Sequence, residues 1–273
     1  MNNNAVRMAP GREPFRSQEA LSLAETDSYL LEDLSCDLNI PEWLPSLANL
    51  SADPYSPGRS KRLGWFLVQD GEPILQPQYS LRQSKSFNGV LGDLSRAYEP
   101  MESQFLERSD VKELIVGFQQ AWGLGHEDLI NFQLQRVEAA VTIGADGRPH
   151  AARTNAVGGG QGIHRDGVEC LSVTCLEREN VRGGASELFL DIEGEERILA
   201  HELEIGERLH HRDLDLFHRA TDIEVIDPTR PGYRTIAILS GPTWHEACFP
   251  GTGRVIGAPG SHHSDSRNLR WSA

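Results

Sequence analysis

The chain has 273 residues, 38% of them hydrophobic, and a mean hydropathy of −0.42, a composition that excludes a bundle of membrane-spanning helices. Its 26 Lys and Arg against 40 Asp and Glu give a formal net charge of −14, which repels phosphate backbones and argues against a nucleic-acid binder. The four cysteines, Cys36, Cys170, Cys175 and Cys248, form no C-x-x-C pair and read as free, small hydrophobes. Residues 1–15 are polar and read as disordered. No apolar run of a secretory signal follows Met1, so a cytoplasmic location is expected. Leu21, Leu23, Leu30, Leu31 and Leu34 among acids predict a helix over 17–34, capped by Ser17. Pro41, Pro45, Pro54 and Pro57 make 40–57 an irregular connection. The apolar run Leu63–Val68, stopped by Asp70-Gly71, predicts a strand. Val111, Leu114, Ile115 and Phe118 predict a helix over 103–122, with Asp110 in its first turns. Beyond Trp122 the pattern turns to β: 131–143, then 168–176, 186–192, 196–204, 213–218, 221–226 and 233–239, with turns such as Asp146-Gly147 and Pro231-Gly232 between. Short strands without intervening helices predict an antiparallel barrel or jelly roll, in an α+β layout with the N-terminal helices packed outside. The organisation expected is an N-terminal extension over 1–59, a β domain over 60–250 and a loose tail over 251–273.

The strongest local feature is Gly162-Ile163-His164-Arg165-Asp166-Gly167. On a strand, residues two apart share a face, so His164 and Asp166 can reach one metal. A histidine and a carboxylate, joined by a second histidine from elsewhere, make the facial triad of non-haem iron sites, which leaves positions open for a chelating cosubstrate and dioxygen. A His-x-Asp triplet alone has little specificity, and His211-Arg212-Asp213 is a second copy. Order decides between them. After the first copy come His218 and then Arg234, inside the strand-like run Tyr233–Ile238; after the second, the next histidine is His245, beyond a Gly-Pro turn, and the only later arginines lie in the tail. His164-Arg165-Asp166 also echoes a kinase catalytic loop, but Leu171 stands where that loop needs Asn. Gly158-Gly159-Gly160-Gln161-Gly162 is followed by no helix pattern and no Lys-Ser/Thr, so it reads as a flexible active-site loop, not a phosphate loop.

Gln161–Gly167, Asn180-Val181-Arg182-Gly183-Gly184, Phe217-His218 and Asp227–Arg234 resemble the bacterial iron(II)/2-oxoglutarate-dependent dioxygenase family that includes L-isoleucine 4-hydroxylase. Asp53-Pro54-Tyr55 and Ser86–Gly92 extend the likeness, which runs over roughly residues 50–245. The resemblance implies a double-stranded β-helix, or cupin-like jelly roll, as the core. It implies iron(II) held by His164, Asp166 and His218 as the catalytic centre, 2-oxoglutarate anchored through its distal carboxylate by Arg234, and O2 as co-substrate. The implied reaction hydroxylates a C–H bond of a free L-amino acid or amino-acid-derived metabolite, with succinate and CO2 as co-products. The intact carboxylate at Asp166 favours hydroxylation over halogenation, because related halogenases place a small residue there to admit chloride. Arg219 after His218, and the glycines at 158–160, depart from the family pattern and leave the substrate open. Arg136 and Arg153, which flank the metal strand in sequence, are the candidates for the substrate carboxylate. Desaturation, cyclisation or sulfoxidation would use the same cofactors; a non-enzymatic metal-binding barrel would have no need of Arg234.

Overall fold

Residues 131–137 present alternate side chains to two faces of a strand, and the two faces meet different neighbours in the computed structural model, which describes residues 28–155 and 162–243. In chain order the elements are β1 (Tyr29–Asp33), α1 (Ile40–Ala48), β2 (Arg59–Gln69), β3 (Glu72–Leu75), α2 (Ser103–Leu106) and α3 (Ser109–Trp122). There follow β4 (Ile130–Glu138), β5 (Val141–Ile143), β6 (Pro149–Ala151), β7 (Val168–Glu179), β8 (Val181–Gly183) and β9 (Ser186–Phe189). The last are β10 (Arg197–His201), β11 (Glu207–Arg212), β12 (Phe217–Ala220), β13 (Ile223–Val225) and β14 (Tyr233–Thr243). A seven-stranded sheet in the order β1-β11-β7-β14-β4-β2-β3 is antiparallel throughout; β10-β9-β12, β13-β8 and β5-β6 form smaller sheets.

Cross-strand partners share a face, so the register sorts the large sheet into two surfaces. Lys61, Gln135 and Ile236 line up on one, as do Leu63, Gln133, Ile238, Val173 and Leu209. This inner face packs on the small sheets: Val173, Cys175 and Leu209 meet Leu188, Ile198 and Leu199, while Val137 meets Val181, Ile223 and Val225. The outer face carries Phe66, Phe132, Leu134, Ala237 and Leu239, and the helices cover it with Trp43, Leu47, Phe105, Leu114, Ile115 and Phe118. Each large apolar side chain buried there contributes ~1.5–3 kcal/mol. The result is the expected α+β arrangement, a double-stranded β-helix with N-terminal helices packed outside it.

Several local expectations change. Over 29–33 the apolar residues belong to a strand, not a helix: β1 pairs with β11, and Leu30 and Leu31 pack into different clusters on opposite faces. The remainder of that expected helix, residues 17–27, lies outside the described residues, as do the 1–15 segment, the 158–161 glycine run, Cys248 and the 251–273 tail. Residues 40–48 are helical despite two prolines, because Pro41 sits in the first turn, where its missing N–H costs nothing, and Trp43 and Leu47 bury one face. The helix expected over 103–122 breaks at Arg108, whose backbone is extended and whose guanidinium pairs with Glu42 and Asp110. Asp110 also accepts hydrogen bonds from Trp43 Nε1 (2.8 Å) and the Asn39 amide, tying α1 to α3. Residues 213–216 are not a strand; β11 lies before them and β12 after. Cys36, Cys170 and Cys175 are free. No helix among the described residues is long and apolar enough to cross a membrane.

Candidate metal centre

His164 and His218 stand opposite each other in a single antiparallel bridge, with the amide of each donating to the carbonyl of the other (3.0 and 2.8 Å). Their ring centroids are 4.4 Å apart. Asp166, two residues on, brings Oδ1 to 3.5 Å from His164 Nε2 and Oδ2 to 3.8 Å from His218 Nε2. One atom from each of the three lies within 4.8 Å of the others. The Nδ1–H of His164 donates to the Gly162 carbonyl (2.8 Å), which turns Nε2 toward Asp166. Burial alone would raise the Asp166 pKa; the His164 hydrogen bond and the His218 charge outweigh it and hold the carboxyl well below its usual range. Burial alone would lower that of His164, and its contact with Asp166 outweighs this in turn.

The turn after Asp166 depends on glycine. Gly167 has φ +78°, and a Cβ there would lie 2.6 Å from the Phe87 ring. Behind the turn is Asp213, fully buried. It accepts hydrogen bonds from the amides of Asp166 (3.0 Å), Gly167 (2.8 Å) and Val168 (3.2 Å), and its Oδ1 lies 3.2 Å from His218 Nδ1. His211 Nε2 approaches the same nitrogen at 3.2 Å. The second His-x-Asp copy is therefore a layer supporting the first. On the other side Gln83 donates to Asp166 Oδ1 (2.8 Å), while its own oxygen accepts from Asn88 and Arg96.

Arg234, on the inner face of β14, is 3% exposed, and its Nε and Nη2 have no partner. Burial lowers its pKa. Gly184 (φ +71°) lets the guanidinium stem pass, since a Cβ there would come within 3.2 Å of Arg234 Cδ. One cavity of about 150 Å³ is lined by His164, Asp166, His218 and Arg234 together. The two substrate candidates are not in it. Arg136 is on the outer face, one residue out of phase with Gln135; it binds Thr235 and Glu177 (2.9 and 2.6 Å) and lies over the Tyr233 ring. Arg153 is exposed and lines a neighbouring cleft with Asn155, Gly162 and Asp222. Sequence reasoning passed over Gln83 and Asp213. For Asp213 the signal was present, in the repeated His-x-Asp; for Gln83, in a loop far upstream, there was none.

No curated protein sequence matches the chain. Among solved structures it is similar to a bsmA homolog from Methylobium petroleophilum PM1, at 20% identity over 82% of this chain and 92% of that one, with a TM-score of 0.65. It is also similar to IDO from Bacillus thuringiensis (13% identity, 85% and 98% covered, TM-score 0.62) and to the Fe(II)/(alpha)ketoglutarate-dependent dioxygenase TqaL (14%, 81% and 86%, 0.57). At these identities the likeness is one of fold. The sequence profile of the 2OG-Fe dioxygenases matches residues 44–240, a span that takes in both histidines, Asp166 and Arg234. The chain belongs to that family, whose enzymes use iron(II), 2-oxoglutarate and O2.

Proposed function

We propose that this enzyme hydroxylates a C–H bond of an amino acid or amino-acid-derived metabolite, with iron(II) on His164, Asp166 and His218 and 2-oxoglutarate on Arg234. The residues fit the metal: two imidazoles, that of His164 oriented by the Gly162 carbonyl, and one carboxylate held ionised, an N/O set suited to iron(II). When bound, iron would activate O2, the oxidant, with 2-oxoglutarate as the two-electron reductant converted to succinate and CO2; one oxygen atom would enter succinate and the other substrate carbon. Arg234 offers a charged, planar pair of donors to the distal carboxylate in a place where they meet no protein acceptor. Gln83 and Asp213 keep Asp166 and its backbone from turning away. The apolar walls, among them Trp65, Leu81 and Ile238, exclude water from the substrate carbon.

The observation that carries this reading is the sharing of one cavity by the His-Asp-His cluster and a buried arginine with unsatisfied donors. The experiment is succinate release from 2-oxoglutarate under air with a panel of amino acids and their derivatives, scored by mass spectrometry with labelled dioxygen. Wild-type protein is expected to form succinate and a product carrying one labelled oxygen; Asp166→Ala is expected to form neither while keeping its circular dichroism spectrum. Full turnover by Asp166→Ala would sink the assignment.

A further inference from the structure

Arg234 is not the only cation turned into the cavity. Lys61, two strands away on the same inner face and beside Gln135, is 5% exposed, with Nζ 4.8 Å from the Tyr98 ring centroid. Arg96 is 3% exposed; its Nη2 donates to Gln83 Oε1 (2.7 Å), and its Nε has no partner. Both line the cavity, and among the described residues no carboxylate pairs with either. Arg59, the next inner-face residue along β2, is held by Asp53 at 2.5 Å. Burial, together with the charges of Arg59 and Arg96, drives the Lys61 pKa well down, so an anion arriving here gains what the protein itself does not provide.

The acids are as informative as the bases. The cavity's described lining holds two carboxylates. Asp166 belongs to the candidate metal cluster, and Glu187 accepts from Arg197 and Arg219, both at 2.5 Å. Among the described residues, a substrate ammonium beside Lys61 and Arg96 would thus meet no unpaired carboxylate. The Gln135 side-chain nitrogen, by contrast, is a buried donor with no partner, suited to a carbonyl oxygen. If Arg234 takes the cosubstrate, Lys61 and Arg96 are left for the substrate.

We infer that the substrate is a carboxylic acid without a free ammonium group, an N-acylated amino acid in class, whose carboxylate is received by Lys61 and Arg96 and whose acyl carbonyl meets Gln135. The inference rests on the reading of Arg234 as the 2-oxoglutarate anchor. It is tested by calorimetric titration, under nitrogen, of the full chain loaded with Mn(II) and 2-oxoglutarate. The probes are N-acetyl derivatives of leucine, phenylalanine and glutamate, the same three as free amino acids, and their N-acetyl carboxamides.

At least one N-acetyl acid is expected to bind about tenfold or more tighter than its free amino acid and its carboxamide. Lys61→Met and Arg96→Leu, with Lys61→Gln and Arg96→Gln as milder changes, are expected to weaken that binding by about tenfold or more while the 2-oxoglutarate affinity, which also reports folding, stays unchanged. The inference is overturned if free amino acids bind as tightly, if the carboxamides bind as well as the acids, if no N-acetyl acid binds, or if the substitutions weaken 2-oxoglutarate instead. Failure of the wild-type protein to bind 2-oxoglutarate would remove the parent reading and this one with it, a result distinct from the others because it precedes any substrate.

Discussion

Asp213 gathers three successive amides of the segment that carries Asp166, and at the same time reaches His218 on another strand. Substituting Asn leaves the size but removes the charge and two lone pairs that buried N–H groups now use. Asp213→Asn is expected to weaken metal binding about 10–100-fold, read by Mn(II) titration, with native circular dichroism. Equal affinity in mutant and wild type would show that the contact does nothing for the metal. Arg234→Ala should raise the 2-oxoglutarate requirement by the equivalent of about 2–5 kcal/mol; Arg234→Lys should restore only part of it, since a point charge replaces a two-pronged donor. Unchanged saturation by 2-oxoglutarate in Arg234→Ala would contradict the role. The candidate cluster was legible because its members come in a fixed order along the chain and two of them are two residues apart, although His164 sits in an isolated bridge and Asp166 just before β7, not on one strand as expected. Arg136 lies away from the cavity because the phase of β4 against β14 decides which side of the sheet it takes, and that phase is a matter of register, not of local sequence.

At the scale of elements, β1, β11 and α3 are joined by one buried polar chain. Glu32 accepts from Arg208 Nε (2.8 Å) and faces His210 Nε2 (3.3 Å), while His210 Nδ1 accepts from Trp122 Nε1 (3.2 Å). Accepting at Nδ1 requires a neutral imidazole, and burial together with the nearby Arg208 lowers the His210 pKa to about 4. Burial would raise Glu32, but the Arg208 charge and the His210 contact lower it to about 2. In both groups the unfolded chain binds more protons than the folded one. Their stabilisation is therefore complete above the unfolded values of 6.5 and 4.5, and is lost as pH falls through about 4 for His210 and about 2 for Glu32. Urea midpoints are expected to drop steadily from pH 7 to pH 3. Glu32→Gln should cost about 3–5 kcal/mol at pH 7, because it leaves Arg208 buried without its anion, and the gap to wild type should narrow on acidification; a constant gap would exclude this origin. The same chain explains why β11 could not be foreseen. Glu-Arg-Leu-His-His-Arg shows no apolar alternation, since its outer-face residues Arg208, His210 and Arg212 are polar and find their partners in β1 and α3. For β1 itself, the five residues Tyr-Leu-Leu-Glu-Asp are too few to separate a helical period from a strand period, whereas β4, β7 and β14 carry enough alternating apolar residues to be read directly.

The family match begins at residue 44, yet the large sheet starts at Tyr29. A chain shortened to residues 40–273 keeps every described residue that lines the cavity and loses β1, which uncovers the edge of β11 and strips Arg208 of Glu32. Its Tm is expected to fall on the order of 10 °C, with aggregation through the open edge; an unchanged Tm would mean that β1 is dispensable. The two-faced register has a consequence for how such a protein can change over time. Lys61, Gln133, Gln135, Ile236 and Ile238 look into the cavity, while Phe132, Leu134, Ala237 and Leu239 between and beside them hold the helices. One thickness of backbone thus separates the letters that choose a ligand from the letters that keep the fold. Selection, or a combinatorial library at those positions, can rewrite the first set while leaving the second as inherited, so new specificities lie a few substitutions away and need not pass through an unfolded ancestor.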